Sequence, residues 1–141
     1  MTIKAAGIAD QVATVTISID SATGGVFIQW IAPHDGSEAL TEYLIEIRNV
    51  GEVNFFEDDD NCDGDDPSVT QCLIPMDTLT LSPFNLGFNN LVVARVTAIN
   101  SYGSSVPSEL NTDGARIRRK PSKIASVNVV SFTDTTADLS W

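Results

Sequence analysis

Between Leu91 and Asn100 the small and branched apolar residues Val92, Ala94, Val96 and Ala98 fall on every second position. A spacing of two puts all four side chains on one face of an extended strand. No window of twelve residues anywhere in the chain carries a helical stripe, so the chain reads as all β. The same alternation recurs at Val15, Ile17 and Ile19, at Val26, Ile28 and Trp30, and at Tyr43, Ile45 and Ile47. Turn-forming stretches separate these runs, including Asp20 to Gly25 and the Pro33, Asp35, Gly36 break. A short fourth strand is expected over 52–56, a fifth over 68–74 ending at Pro75, one helical turn after Pro75, and a last strand through Ala115 and Ile117. Seven short strands with turns about every ten residues predict a sandwich of two antiparallel sheets.

A chain of 141 residues makes one domain, or one and a fraction. Its tail bears on which. Residues 124–141 run as an alternating strand, a Thr and Asp turn, and a second strand ending in Trp141. Residues 13–30 have the same layout, with Trp30 in the corresponding place. The expected organisation is a complete sandwich over 1–120, a boundary at Pro121 and Ser122, and the first two strands of a second repeat over 121–141. Val127, Val129, Leu139 and Trp141 are the expected inward set of that tail.

The net charge of −11 is divided unevenly. Residues 1–115 hold three basic and seventeen acidic residues (3 − 17 = −14), and residues 116–141 hold five and two (5 − 2 = +3). An acidic body of this kind repels phosphate backbones, which argues against nucleic acid as a partner. No run of about 18 apolar residues is present to insert into a membrane, and Met1 to Asp10 lacks the basic and apolar regions of a secretory leader.

Several of these residues carry a family resemblance. Trp30, Pro33, Asp35, Gly36 and Tyr43, then Leu86, then Val96, Ala98, Asn100, Gly103 and Ser105 resemble the signature of fibronectin type III domains. The run Cys72, Ile74, Pro75, Met76, Leu79, Ser82, Pro83, Phe84, Leu86, with Val96 to Ser104, is similar to type III-like repeats arranged in tandem in very large surface proteins of unicellular eukaryotes. The resemblance covers roughly residues 10–120 and implies an immunoglobulin-like seven-stranded sandwich with a spacing, linking or adhesive role. One departure stands out. The tyrosine that usually lies six residues after Leu86 is replaced by Val92, so the disulfide or the Pro83, Phe84 segment is expected to fix that region.

Three clusters carry the chemical content. Cys62 and Cys72 flank nine residues rich in Asp, and their closeness around an irregular stretch favours a local disulfide, hence a secreted or cell-surface protein. In the acidic loop from Glu57 to Pro67, Asp59, Asn61, Asp63 and Gly64 fit the opening of a calcium loop, in which alternate oxygens converge on the ion and glycine allows a sharp turn. Thr70 stands where the closing glutamate would be, and Pro67 interrupts the geometry, so a solvated acidic loop is set against a weak calcium site of Asp59, Asn61, Asp63 and Asp65. No other cofactor is expected. Finally, Arg116, Arg118, Arg119, Lys120 and Lys123 form the basic cluster, read as a cationic seam between an acidic repeat and its neighbour.

Catalysis has little support. His34, the single histidine, lies in a turn, and no nucleophile, base and orienting group can be assembled from the sequence. The expected function is a non-enzymatic extracellular repeat whose partners are neighbouring repeats or like chains, extending to a filament. A calcium-stiffened spacer is one alternative. A carbohydrate-binding module of a larger enzyme is another, for which Phe27, Phe55, Phe56, Phe88 and Tyr102 would have to form a platform. Phe27, Leu44, Leu91 and Val93 fall on the outward phase of their strands and mark a candidate contact face.

Overall fold

A computed structural model describes residues 5–119, 128–132 and 137–140. Lys120, Lys123, Val127, Trp141 and the boundary at Pro121 and Ser122 lie outside the described residues. The body contains β1 (Thr16–Ile19), β2 (Val26–Gln29), β3 (Leu40–Arg48), β4 (Phe55–Phe56), β5 (Gln71–Ile74), α1 (Met76–Leu79), β6 (Ala94–Asn100) and β7 (Gly103–Ser104). They form two antiparallel sheets, β1-β2-β5 and β4-β3-β6-β7. The expected two-sheet sandwich is therefore the observed one, and α1 is the helical turn expected after Pro75.

The alternating positions face each other between the sheets. Ile17, Val26, Ile28, Trp30 and Ile74 meet Tyr43, Ile45, Ile47, Ala94, Val96 and Ala98, all of them buried in one hydrophobic core. Trp30 and Tyr43 pack edge to face, with ring centroids 5.3 Å apart and planes at 70°. The position where the tyrosine pattern departs is filled, since Val92 is fully buried, and Phe84 of the neighbouring segment is buried while its carbonyl accepts from Val50 N–H at 2.9 Å.

Two expectations need correction. The seventh strand is β7, not a strand at Ala115 and Ile117, which instead make an irregular seam. There Ala115 donates to Ile17 in one sheet while its carbonyl accepts from Val92 beside the other, and Leu91 and Arg116 make a single bridge. Nor do Phe27, Leu44, Leu91 and Val93 form an exposed face: the first three are half-buried and Val93 is buried.

The free edge of β6 is closed in a way that the alternation does not announce. Ala98 N–H donates to Ser105 Oγ at 3.0 Å, Val96 N–H to Ser108 Oγ at 3.1 Å, and Ala94 N–H to Asn111 Oδ1 at 3.0 Å. Asn111 Nδ2 donates in return to the carbonyls of Val92 and Asp113, each at 2.9 Å. Serine and asparagine every third residue thus satisfy every second N–H of the strand, and all three side chains lie in buried residues. A buried donor left without a partner costs about 1–3 kcal/mol.

At one end of the sandwich Asn100 gathers three segments. Its Nδ2 donates to the carbonyls of Gly7 and Asp35 at 2.8 Å, and its Oδ1 accepts from Tyr102 N–H at 2.9 Å. Gly36, at φ +76°, meets the backbone of Gly7 and Ile8 so closely that no side chain fits. The chain therefore enters at this pole. It leaves through Ile117 to Arg119 at the other pole, beside the turn at Thr23 to Gly25. Beyond it, β8 (Asn128–Phe132) and β9 (Ala137–Ser140) pair antiparallel with Val129 opposite Leu139, the strand pair expected of the tail.

The edge closure yields a graded prediction. Asn111→Ala leaves the Ala94 N–H and the Val92 carbonyl unpaired and lowers stability by about 2–3 kcal/mol, whereas Ser108→Ala removes one acceptor and costs about 1 kcal/mol. Urea denaturation measures both. Equal and small losses would mean that water replaces the side chains at this edge.

Candidate functional site

The acidic loop is built against the edge of β3 and anchored at both ends. Cys62 and Cys72 are bonded, with Cα atoms 5.1 Å apart, and both are buried. Cys72 sits within β5 opposite Ile28, so the bond ties the loop to the edge strand of the three-stranded sheet. On the other side Tyr43 N–H donates to the Gly64 carbonyl at 2.8 Å. A Cβ on Gly64 would run into the Tyr43 carbonyl. The glycine is required by this close approach to β3, and not by the turn of a calcium cage.

The carboxylates of the loop mostly serve its own backbone. Asn61 Nδ2 donates to both carboxylate oxygens of Asp58, at 3.1 and 3.0 Å. Asp63 Oδ1 accepts from Asp65 N–H at 2.7 Å, and Asp66 Oδ1 accepts from Ser68 N–H and Oγ at 2.9 and 2.7 Å. These are the local turns that Asp and Asn favour. The four anticipated calcium ligands, Asp59, Asn61, Asp63 and Asp65, share the loop, but the Asn61 amide is turned to Asp58. Among the described residues no group of three or more His, Cys, Asp or Glu side chains converges to hold a metal ion.

Between the loop and β3 lies a groove of about 330 Å³ bordered by Glu42, Glu57, Asp59, Asp63 and Asp65. Glu57 is exposed at its rim, yet the surrounding chain removes part of its water and Asp59, Glu46 and Glu42 repel its charge, which together raise its pKa above the ordinary glutamate value. Asp66 is shifted the other way, held as the carboxylate by the Ser68 hydroxyl and N–H. Glu46 is neutralised on its other side by Arg95, whose guanidinium makes two bonds to it at 2.7 and 3.0 Å and lies 4.0 Å over the Phe55 ring.

The basic cluster occupies the exit pole. Arg116 donates to the Asn89 carbonyl at 2.9 Å, Arg119 lies 5.6 Å from the Phe88 ring centroid, and Arg118 and Arg119 are exposed. His34 is exposed at the opposite pole, where its Nδ1 accepts from Gly36 N–H at 3.0 Å. The aromatic residues do not meet as a platform: Phe55 lies under Arg95, Phe27 and Phe56 are half-buried, and the exposed Phe88 and Tyr102 stand at opposite poles. The Ser105, Ser108 and Asn111 closure was not read from the sequence. Its spacing of three through 105, 108 and 111 was the available signal.

The arrangement compares directly with solved structures. One is the sixth fibronectin type III domain of human fibronectin type III domain containing protein 3, at 22% identity and a TM-score of 0.58, covering 84% of this chain and 96% of that one. The fold is that of a fibronectin type III domain. Type III-like structure is also shared with the kinase region of twitchin from C. elegans, at 22% identity and a TM-score of 0.55, covering 79% of this chain and 17% of that chain. The region of titin kinase and its flanking domains gives 22%, 0.51, 74% and 16% in the same order. This chain thus spans about a sixth of each of those two chains. No family model matches the sequence, and no curated protein does.

Two predictions follow from the loop. Closing a loop with a sequence separation of 10 stabilises the fold by roughly 3 kcal/mol through the unfolded chain, so reduction of the Cys62–Cys72 bond lowers stability by about that amount. Denaturant titration with and without reductant reads it, and coincident curves would show that the bond carries no stability. For Glu57 the folded pKa lies above the unfolded one, so its contribution is favourable below the unfolded value and is lost as pH rises through the folded value. Glu57→Gln therefore stabilises the protein at pH 7, by no more than ~0.5 kcal/mol because the group is exposed and screened, and the difference vanishes below about pH 4. A difference independent of pH would remove the charge argument.

Proposed function

We propose that this type III domain is a non-catalytic structural repeat of a larger secreted or cell-surface protein, in which it spaces and links its neighbours. The observation that carries the reading is the path of the chain. It enters at the pole clamped by Asn100, crosses the sandwich, and leaves at the opposite pole toward a further β-hairpin. A domain with its ends at opposite poles adds length to an array with each copy. The hairpin β8-β9 then belongs to a second repeat beginning near Pro121, since two strands alone cannot bury their apolar face.

The buried disulfide supports an oxidising compartment, and hence the extracellular assignment. The cationic seam of Arg116, Arg118 and Arg119, continued by Lys120 and Lys123, lies where the next repeat begins and offsets the acidic body at that junction. The acidic loop serves as a solvated surface that keeps such arrays apart in solution, with its shape set by the disulfide and Gly64 in place of a bound ion.

Removing residues 121–141 tests the reading. A body that is complete without them keeps its melting temperature within about a degree. For a domain of this size each kcal/mol shifts the midpoint by roughly 2–8 °C, so a fall of several degrees would assign the tail to the first sandwich and overturn the two-repeat organisation.

A further inference from the structure

At the exit pole the body has a cleft of about 430 Å³. Its floor is apolar, formed by Ile19, Leu73, Pro75 and Met76, and Arg118 and Arg119 stand on its rim, with Asp77 also lining it. The cleft lies at one end of the β2-β5 ladder, next to the pair Val26 and Ile74. The other end of the same ladder closes on Gln29 and Gln71, and Trp30 N–H continues it by donating to the Thr70 carbonyl at 3.0 Å. Ile31 follows Trp30 and Val69 precedes Thr70, so the two flank that bond. They are 76% and 44% exposed, large for branched apolar side chains.

The charges around the two features are opposite. Asp65 and Asp66 precede Val69 in the loop, and Asp35 lies across from Pro67 and Ser68 in the shallow depression between the two segments. The Asp66 carboxylate is held ionised by Ser68. An apolar knob on two aspartate-bearing segments thus stands at one end of the ladder, and an apolar cleft rimmed by arginines at the other.

We propose that the cleft at the exit pole receives the Ile31–Val69 knob of a second copy of this chain, with Arg118 and Arg119 facing Asp35, Asp65 and Asp66 of that copy. The contact uses a different patch on each partner, so it does not close on itself and propagates head to tail. Its area is small and the acidic bodies repel, which places it among weak interfaces with Kd of about 10⁻⁴ to 10⁻³ M. Copies tethered in one array meet at effective concentrations of about a millimolar, where a contact of that strength is formed much of the time. In that respect it rests on the repeat reading above, though its existence between free chains does not.

Sedimentation equilibrium of the full chain up to ~1 mM tests it. The wild type should show an average mass above the monomer that rises with concentration. The cleft variant Arg118→Glu/Arg119→Glu and the knob variant Ile31→Ser/Val69→Ser should each associate at least tenfold more weakly. All four positions are exposed, so both variants should keep the wild-type melting temperature. An equimolar mixture of the two variants should regain association, because the knob of the first fits the cleft of the second, and it should stop at a 1:1 complex. A wild type that stays monomeric, variants that associate as the wild type does, or a mixture that remains monomeric would each overturn the proposal. A monomeric wild type with an intact melting temperature after removal of 121–141 would remove this contact and leave the repeat reading standing. Association with a destabilised truncation would do the reverse.

Discussion

Everything in the body depends on β6 being satisfied on three sides at once. Its inward residues Ala94, Val96 and Ala98 are fully buried, its one edge pairs with β3 from Leu40 to Ile47, and its other edge meets, among the described strands, only the two-residue β7 at Ile99 and Asn100. A buried strand cannot leave a row of N–H groups unpaired, because each costs as much as the hydrophobic burial of a small side chain contributes. The chain after β7 resolves this with the Ser105, Ser108 and Asn111 side chains as acceptors, while the Ser105 and Ser108 N–H groups donate to the Ala98 and Val96 carbonyls. That solution lets 105–111 follow an irregular course and brings Ala115 to the seam where it bonds to Ile17 and Val92. The two sheets are joined there, and the exit pole is positioned by it.

The acidic loop illustrates how a covalent and a steric constraint can determine a surface that sequence chemistry reads differently. Seven of the seventeen acidic residues of 1–115 lie in 57–66. Left free, such a segment would extend away from the body to separate its charges. The disulfide to β5 and the close approach of Gly64 to β3 hold it down instead, and the cost appears as the raised pKa of Glu57. The Asp, Asn and Ser side chains compensate by bonding backbone N–H groups within the loop. Oxygens used in this way are not arranged to converge on an ion.

Charge separation along the sandwich axis is the property that most bears on function. Seven acids crowd the loop, while the exposed Arg118 and Arg119 stand at the exit pole with Asp77, so the domain has an electrostatic direction. For units joined in series, that direction opposes mismatched arrangements and favours exit pole against entry pole. The likeness to solved type III domains is at the level of fold alone, and sandwiches of this kind host many functions. The polarity, in contrast, belongs to these residues.

Alternation by itself determined the all-β class, the inward faces of β1, β2, β3 and β6, and the pairing of Trp30 with the core, because a period of two leaves a strand only one face to bury. The spacing of Cys62 and Cys72 likewise sufficed for the disulfide, since a short irregular loop brings its ends together at little entropic cost. The sequence also carried the pattern of the tail hairpin β8-β9. It could not show that Val93 is covered, that Ala115 and Ile117 form a seam and not a strand, or that Ser105, Ser108 and Asn111 close an edge. Each of these depends on which distant segment lies alongside, and a local pattern holds no information about a neighbour 12 or 17 positions away. The same holds for Gly64, whose need for a missing side chain arises only when Tyr43 lies beneath it, and for the cleft and knob, which become opposite ends of one ladder only once β2 and β5 are paired.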